Sequence, residues 1–177
     1  HMELTGEQRR MGAVQRSLKK LLPDAFDLLS EQSKIDLGIG MIDIGNTEVT
    51  LSDYSVLLVP PYRGLERFIF DLQQAYGISV KMIGQAYEKD ENGKHVLKAC
   101  YRKKTGIVYS EVMSALYTEY FEKRNFYAHS DNSEFGNSRV ISDKTAAKSI
   151  FDKLCAIVNY NSKKLKETNF SLSKERH

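Results

Sequence analysis

The segment Phe121-Glu122-Lys123-Arg124-Asn125-Phe126-Tyr127-Ala128-His129-Ser130-Asp131 sets a guanidinium five residues ahead of an imidazole, and only four histidines occur in the chain. Arginine is always charged and histidine titrates near neutral pH. Together they suit phosphodiester chemistry. The guanidinium of Arg124 grips a non-bridging phosphate oxygen and neutralises it, while the imidazole of His129 moves the proton. On RNA the nucleophile is already present as the 2′-OH, so this chemistry calls for no metal. Spacing alone does not make the site. Five residues on an unbroken helix turn by about 500° and rise about 7.5 Å, which leaves the two side chains about 140° apart. They converge only if the helix ends near Tyr127 and the chain turns, as Ser130-Asp131-Asn132-Ser133 permits. The bland reading of the same residues is a surface arginine and a helix-terminal histidine favoured by the helix dipole.

A second group lies upstream. In Tyr62-Arg63-Gly64-Leu65-Glu66, Arg63 and Glu66 are three apart and share one helical face. Leu65, Phe68, Ile69 and Leu72 define the buried side, with Glu66 near its edge. A carboxylate there is expected to pair with Arg63 or with Arg124 from a facing helix. As a mere exposed ion pair it contributes a few tenths of a kcal/mol. Arg102, Lys103 and Lys104 precede the motif-bearing helix and could steer RNA by unspecific attraction. Tyr127 is placed to stack on a base, while Tyr109, Tyr117 and Tyr120 are expected in the core or at a dimer surface. His95 reads as an exposed histidine beside a turn. No P-loop, dinucleotide glycine fingerprint or metal-ligand spacing occurs, so neither cofactor nor metal is expected.

These residues need a scaffold, and the apolar periodicity predicts helices. Residues 7–22 place Met11, Val14, Leu18, Leu21 and Leu22 at helical spacing, stopped by Pro23. A second amphipathic segment runs from Asp24 to about Leu37. The glycine-punctuated run 38–50 reads as a loop or short strand, and 51–59 as a helical turn capped by Ser52 or Asp53. Pro60-Pro61 opens a helix that Gly77 closes. Two alternating segments around Glu91-Asn92-Gly93-Lys94 predict a β-hairpin whose turn residues both take positive φ. A long helix follows from Ser110 to about Tyr127, with Val112, Met113, Leu116, Tyr117, Tyr120 and Phe121 inward. The last runs from Lys144 to about Leu165, capped by Asp143 or Ser142, with Ala147, Ile150, Leu154, Ile157 and Val158 inward.

The totals allow one domain with an appendage: 177 residues, 41% hydrophobic, 28% charged and a net charge of +3. So mild a charge does not by itself imply nucleic acid. No apolar run approaches the ~20 residues that span a bilayer. Cys100 and Cys155 cannot build a disulfide framework and read as two buried thiols of a reducing cytoplasm. His1-Met2 reads as an expression remnant.

The two motifs together resemble the HEPN-domain ribonucleases, whose signature is an arginine, four to six residues and a histidine at the end of a bundle helix, with a polar residue such as Asn125 after the arginine. The run Leu51-Ser52-Asp53-Tyr54-Ser55 followed by Pro60-Pro61-Tyr62-Arg63-Gly64-Leu65-Glu66 is similar, more narrowly, to the C-terminal HEPN domain of the RnlA (RNase LS) toxins. The resemblance covers roughly residues 23–165. It implies a mainly α fold, a HEPN-type antiparallel helical bundle with one inserted β-hairpin. The domain would span 23–167, after a helical extension over 1–22 and before a flexible tail over 168–177. It also implies a homodimer with a composite cleft, metal-independent endoribonuclease cleavage leaving a 2′,3′-cyclic phosphate, and restraint by a cognate antitoxin in phage defence. His129 would be the acid or base, Arg124 the phosphate stabiliser and Glu66 their orienting group. Arg63 would bind phosphate or position Glu66, and Asn125 would orient neighbours. The rival is a catalytically silent HEPN module for dimerisation or antitoxin binding. RnlA toxins carry further N-terminal domains, for which the residues before Pro23 are too few. Asp131 stands where HEPN toxins silenced by nucleotidylation carry a tyrosine.

Overall fold

The computed structural model describes residues 3–46, 48–123 and 140–170. Helix α1 (Gly6–Leu21) starts at a capping box in which the Thr5 side chain and Gln8 satisfy each other's backbone amides. A 3₁₀ turn (Phe26–Leu28) leads to α2 (Glu31–Asn46), and a second one (Tyr54–Leu58) to α3 (Val59–Ala75). A third turn (Ile83–Ala86) precedes β1 (Tyr87–Lys89) and β2 (His95–Leu97). Then come α4 (Ala99–Thr105), α5 (Ile107–Lys123) and α6 (Lys144–Lys166). The molecule is mainly α with one inserted hairpin, as expected. No described helix is long and apolar enough to cross a membrane.

All the long helices feed one core. Leu18 and Leu22, Leu37, Leu65, Phe68, Ile69 and Leu72, Val112, Met113 and Leu116, and Leu154 are each at most 1% exposed. The first helix thus joins the core through its last turn, whereas Met11 and Leu21, expected inward, are 50% and 38% exposed. Its exit is fixed by the Asn159 Oδ1 of α6, which accepts from the amides of Asp24 (2.8 Å) and Ala25 (3.1 Å). Phe170 is buried and stacks on Tyr76 at 5.5 Å between ring centroids. The packed body therefore extends past the expected limit at 167.

Three expectations are corrected. The run from Gly38 to Asn46 is the second half of α2, not a loop or strand, while Asp24–Ser30 is mostly turn. Two of its glycines serve packing: a Cβ built on Gly38 would lie 2.9 Å from Val14 Cγ1 and one on Gly40 2.1 Å from Pro61 Cγ, so the bare backbone is what lets α2 meet α1 and the start of α3. Ser33 adds a buried hydrogen bond to the Gly64 carbonyl (3.1 Å) across the same contact. In the hairpin, Gly93 takes φ +78° and Asn92 does not take positive φ. Asp90 Oδ1 accepts from the amides of Asn92 and Lys94 (both 2.9 Å), which builds a longer turn than the two-residue one. Cys100 is exposed, and of the two thiols only Cys155 is buried.

Candidate functional site

Along α3, Arg63, Glu66, Arg67 and Phe70 follow the i, i+3, i+4, i+7 rule and form one stripe. Leu65, Phe68, Ile69 and Leu72 hold the other side in the core, so the stripe faces outward. It forms the floor of a cleft of about 540 Å³. The segment Lys81–Gln85 makes one wall, and Tyr117 and Tyr120 of α5 another. Tyr62, beside Arg63, is fully buried and donates from its hydroxyl to Glu119 Oε1 of α5 at 2.8 Å. That bond ties the floor to the α5 wall. On the α5 wall, Tyr117 stacks on Tyr87 (4.0 Å, 7°), which fixes the hairpin on the same helix.

Two of the expected site residues, Arg63 and Glu66, are therefore brought together in one cleft. They do not pair with each other: no ion pair within 4.0 Å joins them. Both are exposed. Arg124, Asn125, Tyr127 and His129 lie outside the described residues. Lys123, the residue bonded to Arg124, ends α5 as described, and Tyr120 one turn earlier lines the cleft. Arg102, Lys103 and Lys104 are exposed on α4 and none of them lines this cleft. Arg102 instead reaches Glu88 at 3.9 Å. Tyr109 is a core residue, its hydroxyl donating to the Leu72 carbonyl at 2.7 Å.

His95 is not the exposed turn residue expected. It lies in β2, its ring 4.3 Å from that of Phe121 and edge-on to Tyr117. Sequence reasoning also missed Arg67, Phe70 and Lys81. The first two were within reach, because they continue the Arg63–Glu66 stripe by one turn. Lys81 carries no periodic signal and arrives by a loop. Among the described residues no group of three or more His, Cys, Asp or Glu could hold a metal ion.

At the other end of the gap in the described chain, Tyr54 donates its amide to the Ile141 carbonyl (2.8 Å) and Asp53 Oδ1 accepts from the Ile141 amide (3.0 Å). Burial pushes the Asp53 carboxyl up, but the Ser55 hydroxyl and the amides of Ser55 and Ile141 outweigh it and leave the group below its ordinary 3.8. The capping role foreseen for Ser52 or Asp53 falls to Asp53, which also anchors the returning chain.

Among curated proteins none matches the chain. Among solved structures it is similar to the Escherichia coli toxin LsoA, crystallised in complex with the T4 phage antitoxin Dmd, at a TM-score of 0.73 and 20% identity. That match covers 93% of this chain but 62% of LsoA, so the chain spans less than two thirds of that toxin. At such identity the likeness is one of fold. A family model described as "RNase LS, bacterial toxin DBD domain" matches residues 10–131, from α1 through the arginine–histidine segment, and the chain accordingly belongs to the RnlA-toxin DBD family.

Proposed function

We propose that this chain is the HEPN-type catalytic domain of an RnlA-like toxin, a metal-independent endoribonuclease that acts in the cytoplasm. One observation carries the reading: α5 runs along the cleft that holds Arg63 and Glu66, and the arginine–histidine motif begins with the residue bonded to its end. Arg124 follows Lys123 directly in the chain. His129 is six residues beyond Lys123, hence at most ~22 Å from it by chain reach. Motif and cleft are thus within reach of each other.

In this mechanism Arg124 neutralises the charge that builds on the phosphorane oxygens as the 2′-OH attacks. His129 takes the 2′-OH proton or delivers one to the departing 5′-oxygen, leaving a 2′,3′-cyclic phosphate. Glu66 orients one of the two, and Arg63 holds a phosphate oxygen. Asn125 orients the pair, and Tyr127 stacks a base. Arg102, Lys103 and Lys104 draw RNA toward the molecule from outside the cleft. Two subunits each contribute a motif to a shared crevice, and an antitoxin holds the toxin in check. The family membership, and a structural neighbour crystallised as a toxin bound to an antitoxin, support both the toxin role and a protein partner.

The test is cleavage of a single-stranded RNA by the purified protein in EDTA, with products examined for a terminal cyclic phosphate. Cleavage should be lost in His129→Ala and Arg124→Ala and reduced in Glu66→Gln. General acid–base groups contribute roughly 10²–10⁴-fold. Intact RNA with wild type and variants alike leaves only the silent binding module.

A further inference from the structure

The cleft extends past the two residues that the mechanism uses. One turn along the stripe from Arg63 stands Arg67, its guanidinium carbon 5.7 Å from the centroid of Phe70, and Lys81 faces the same cleft from the wall. Among the described residues no carboxylate lies within 4.0 Å of the charged groups of Arg63, Arg67 or Lys81, although Asp36 and Glu66 line the cleft as well. The wall is built, not loose. Gln85 Oε1 accepts from the amides of Lys81 and Met82 (both 3.1 Å), and the fully buried Gln73 donates to the Ile83 carbonyl at 3.2 Å. A Cβ on Gly84 would lie 2.7 Å from the Tyr117 hydroxyl, so the wall sits as close to α5 as backbone allows. The backbone of Lys81 is thereby held in the wall of the cleft that Arg67 lines from the floor.

We propose that Arg67, Lys81 and Phe70 form a second nucleotide subsite, beside that of the reacting phosphate, for single-stranded RNA. Arg67 and Lys81 each hold a phosphate of a flanking nucleotide, Arg67 swinging off the Phe70 ring over which it lies in the free protein, and Phe70 then carries a stacked base. Cations tracking a backbone beside an aromatic face are the recurring recipe for single-strand binding. The choice of RNA as occupant rests on the nuclease reading above. A duplex is disfavoured because its bases are already stacked on one another and cannot take the Phe70 ring.

The experiment measures binding apart from cleavage. A fluorescein-labelled, fully 2′-O-methylated single-stranded oligoribonucleotide has no free 2′-OH and cannot be cut, and its anisotropy is followed against protein at several salt concentrations. Arg67 and Lys81 are exposed, so Arg67→Gln with Lys81→Gln should leave the melting temperature unchanged. Each lost phosphate contact flattens the slope of log affinity against log salt by about 0.7 on a single strand, so the double variant should lose about 1.4. Phe70→Leu keeps the packing but loses the ring face and should weaken binding at least ~5-fold, the lower end of a stacked base, with the slope unchanged. If the double variant keeps the wild-type slope while wild type cleaves unmodified RNA, the subsite is rejected and the nuclease stands. If His129→Ala and wild type both leave RNA intact yet the slope falls as expected, the subsite holds and the nuclease fails. Absence of any wild-type binding overturns the subsite and leaves the cleft to a protein partner.

Discussion

Tyr62→Phe removes one oxygen from the middle of the molecule. The Tyr62 side chain is 0% exposed and Glu119 is 4% exposed, and the 2.8 Å between hydroxyl and Oε1 is an ordinary length for a good O–H···O bond. Phenylalanine keeps the ring and its packing, so no cavity larger than the lost oxygen opens. What changes is that a buried carboxyl oxygen loses its donor where water cannot replace it. Such a loss costs about 1–3 kcal/mol. For a chain of this size each kcal/mol moves the melting temperature by roughly 2–4 °C, so a mid-range 2 kcal/mol should lower it by about 4–8 °C. Differential scanning fluorimetry reads this directly. The pair can be isolated by a cycle: with Glu119→Ala already made, Tyr62→Phe should cost much less, because its acceptor is gone. A coupling of 0.5 kcal/mol or more is normal for residues in contact. A melting temperature within about 1 °C of wild type, or two single losses that simply add, would refute the claim that this bond locks α3 to α5. If α5 is what carries Arg124 to the cleft, the same variant should also lose RNA cleavage at temperatures where it is still folded.

Three further outcomes are expected. Gly40→Ala should lower the melting temperature by several degrees, since overpacking against the Pro61 ring costs about 1–3 kcal/mol and outweighs the ~1 kcal/mol gained in helix propensity; a rise would show that α2 and α3 part freely. The Asp53 carboxyl is held below 3.8 in the folded chain, so its contribution is complete above the unfolded value and fades as pH falls through the folded one. Below about pH 5, wild-type melting temperature should therefore drop more steeply than that of Asp53→Asn, and parallel curves would falsify the anchor. Burial, with Asp152 nearby, pushes the Cys155 thiol up to about 12, so a thiol reagent such as DTNB should titrate Cys100 alone in the native protein and both cysteines after denaturation.

How much of this was legible beforehand follows from where each signal resides. Helix α3 is legible to within a residue or two because proline, apolar face and Gly77 all agree, and α6 because cap and apolar face do, the cap falling to Asp143. Helix α2 is not legible in the sequence, because its glycines, Gly40 above all, look locally like breakers. Their cause lies on another element: Pro61 needs the space where a Gly40 side chain would stand, and no local pattern in 31–46 announces that. The candidate site divides in the same way. Arg63 and Glu66 were visible as a spaced pair, and the same arithmetic carried one turn further gives Arg67 and Phe70. Lys81 was not visible, because its place depends on Gln73, Gln85 and a glycine pressed against Tyr117. A stripe on one helix is a property of sequence, whereas a wall across from it depends on contacts between elements far apart in the chain. The cleft joins both kinds. The helical half of its chemistry could therefore be read beforehand, and the part that sets how a strand lies in it could not.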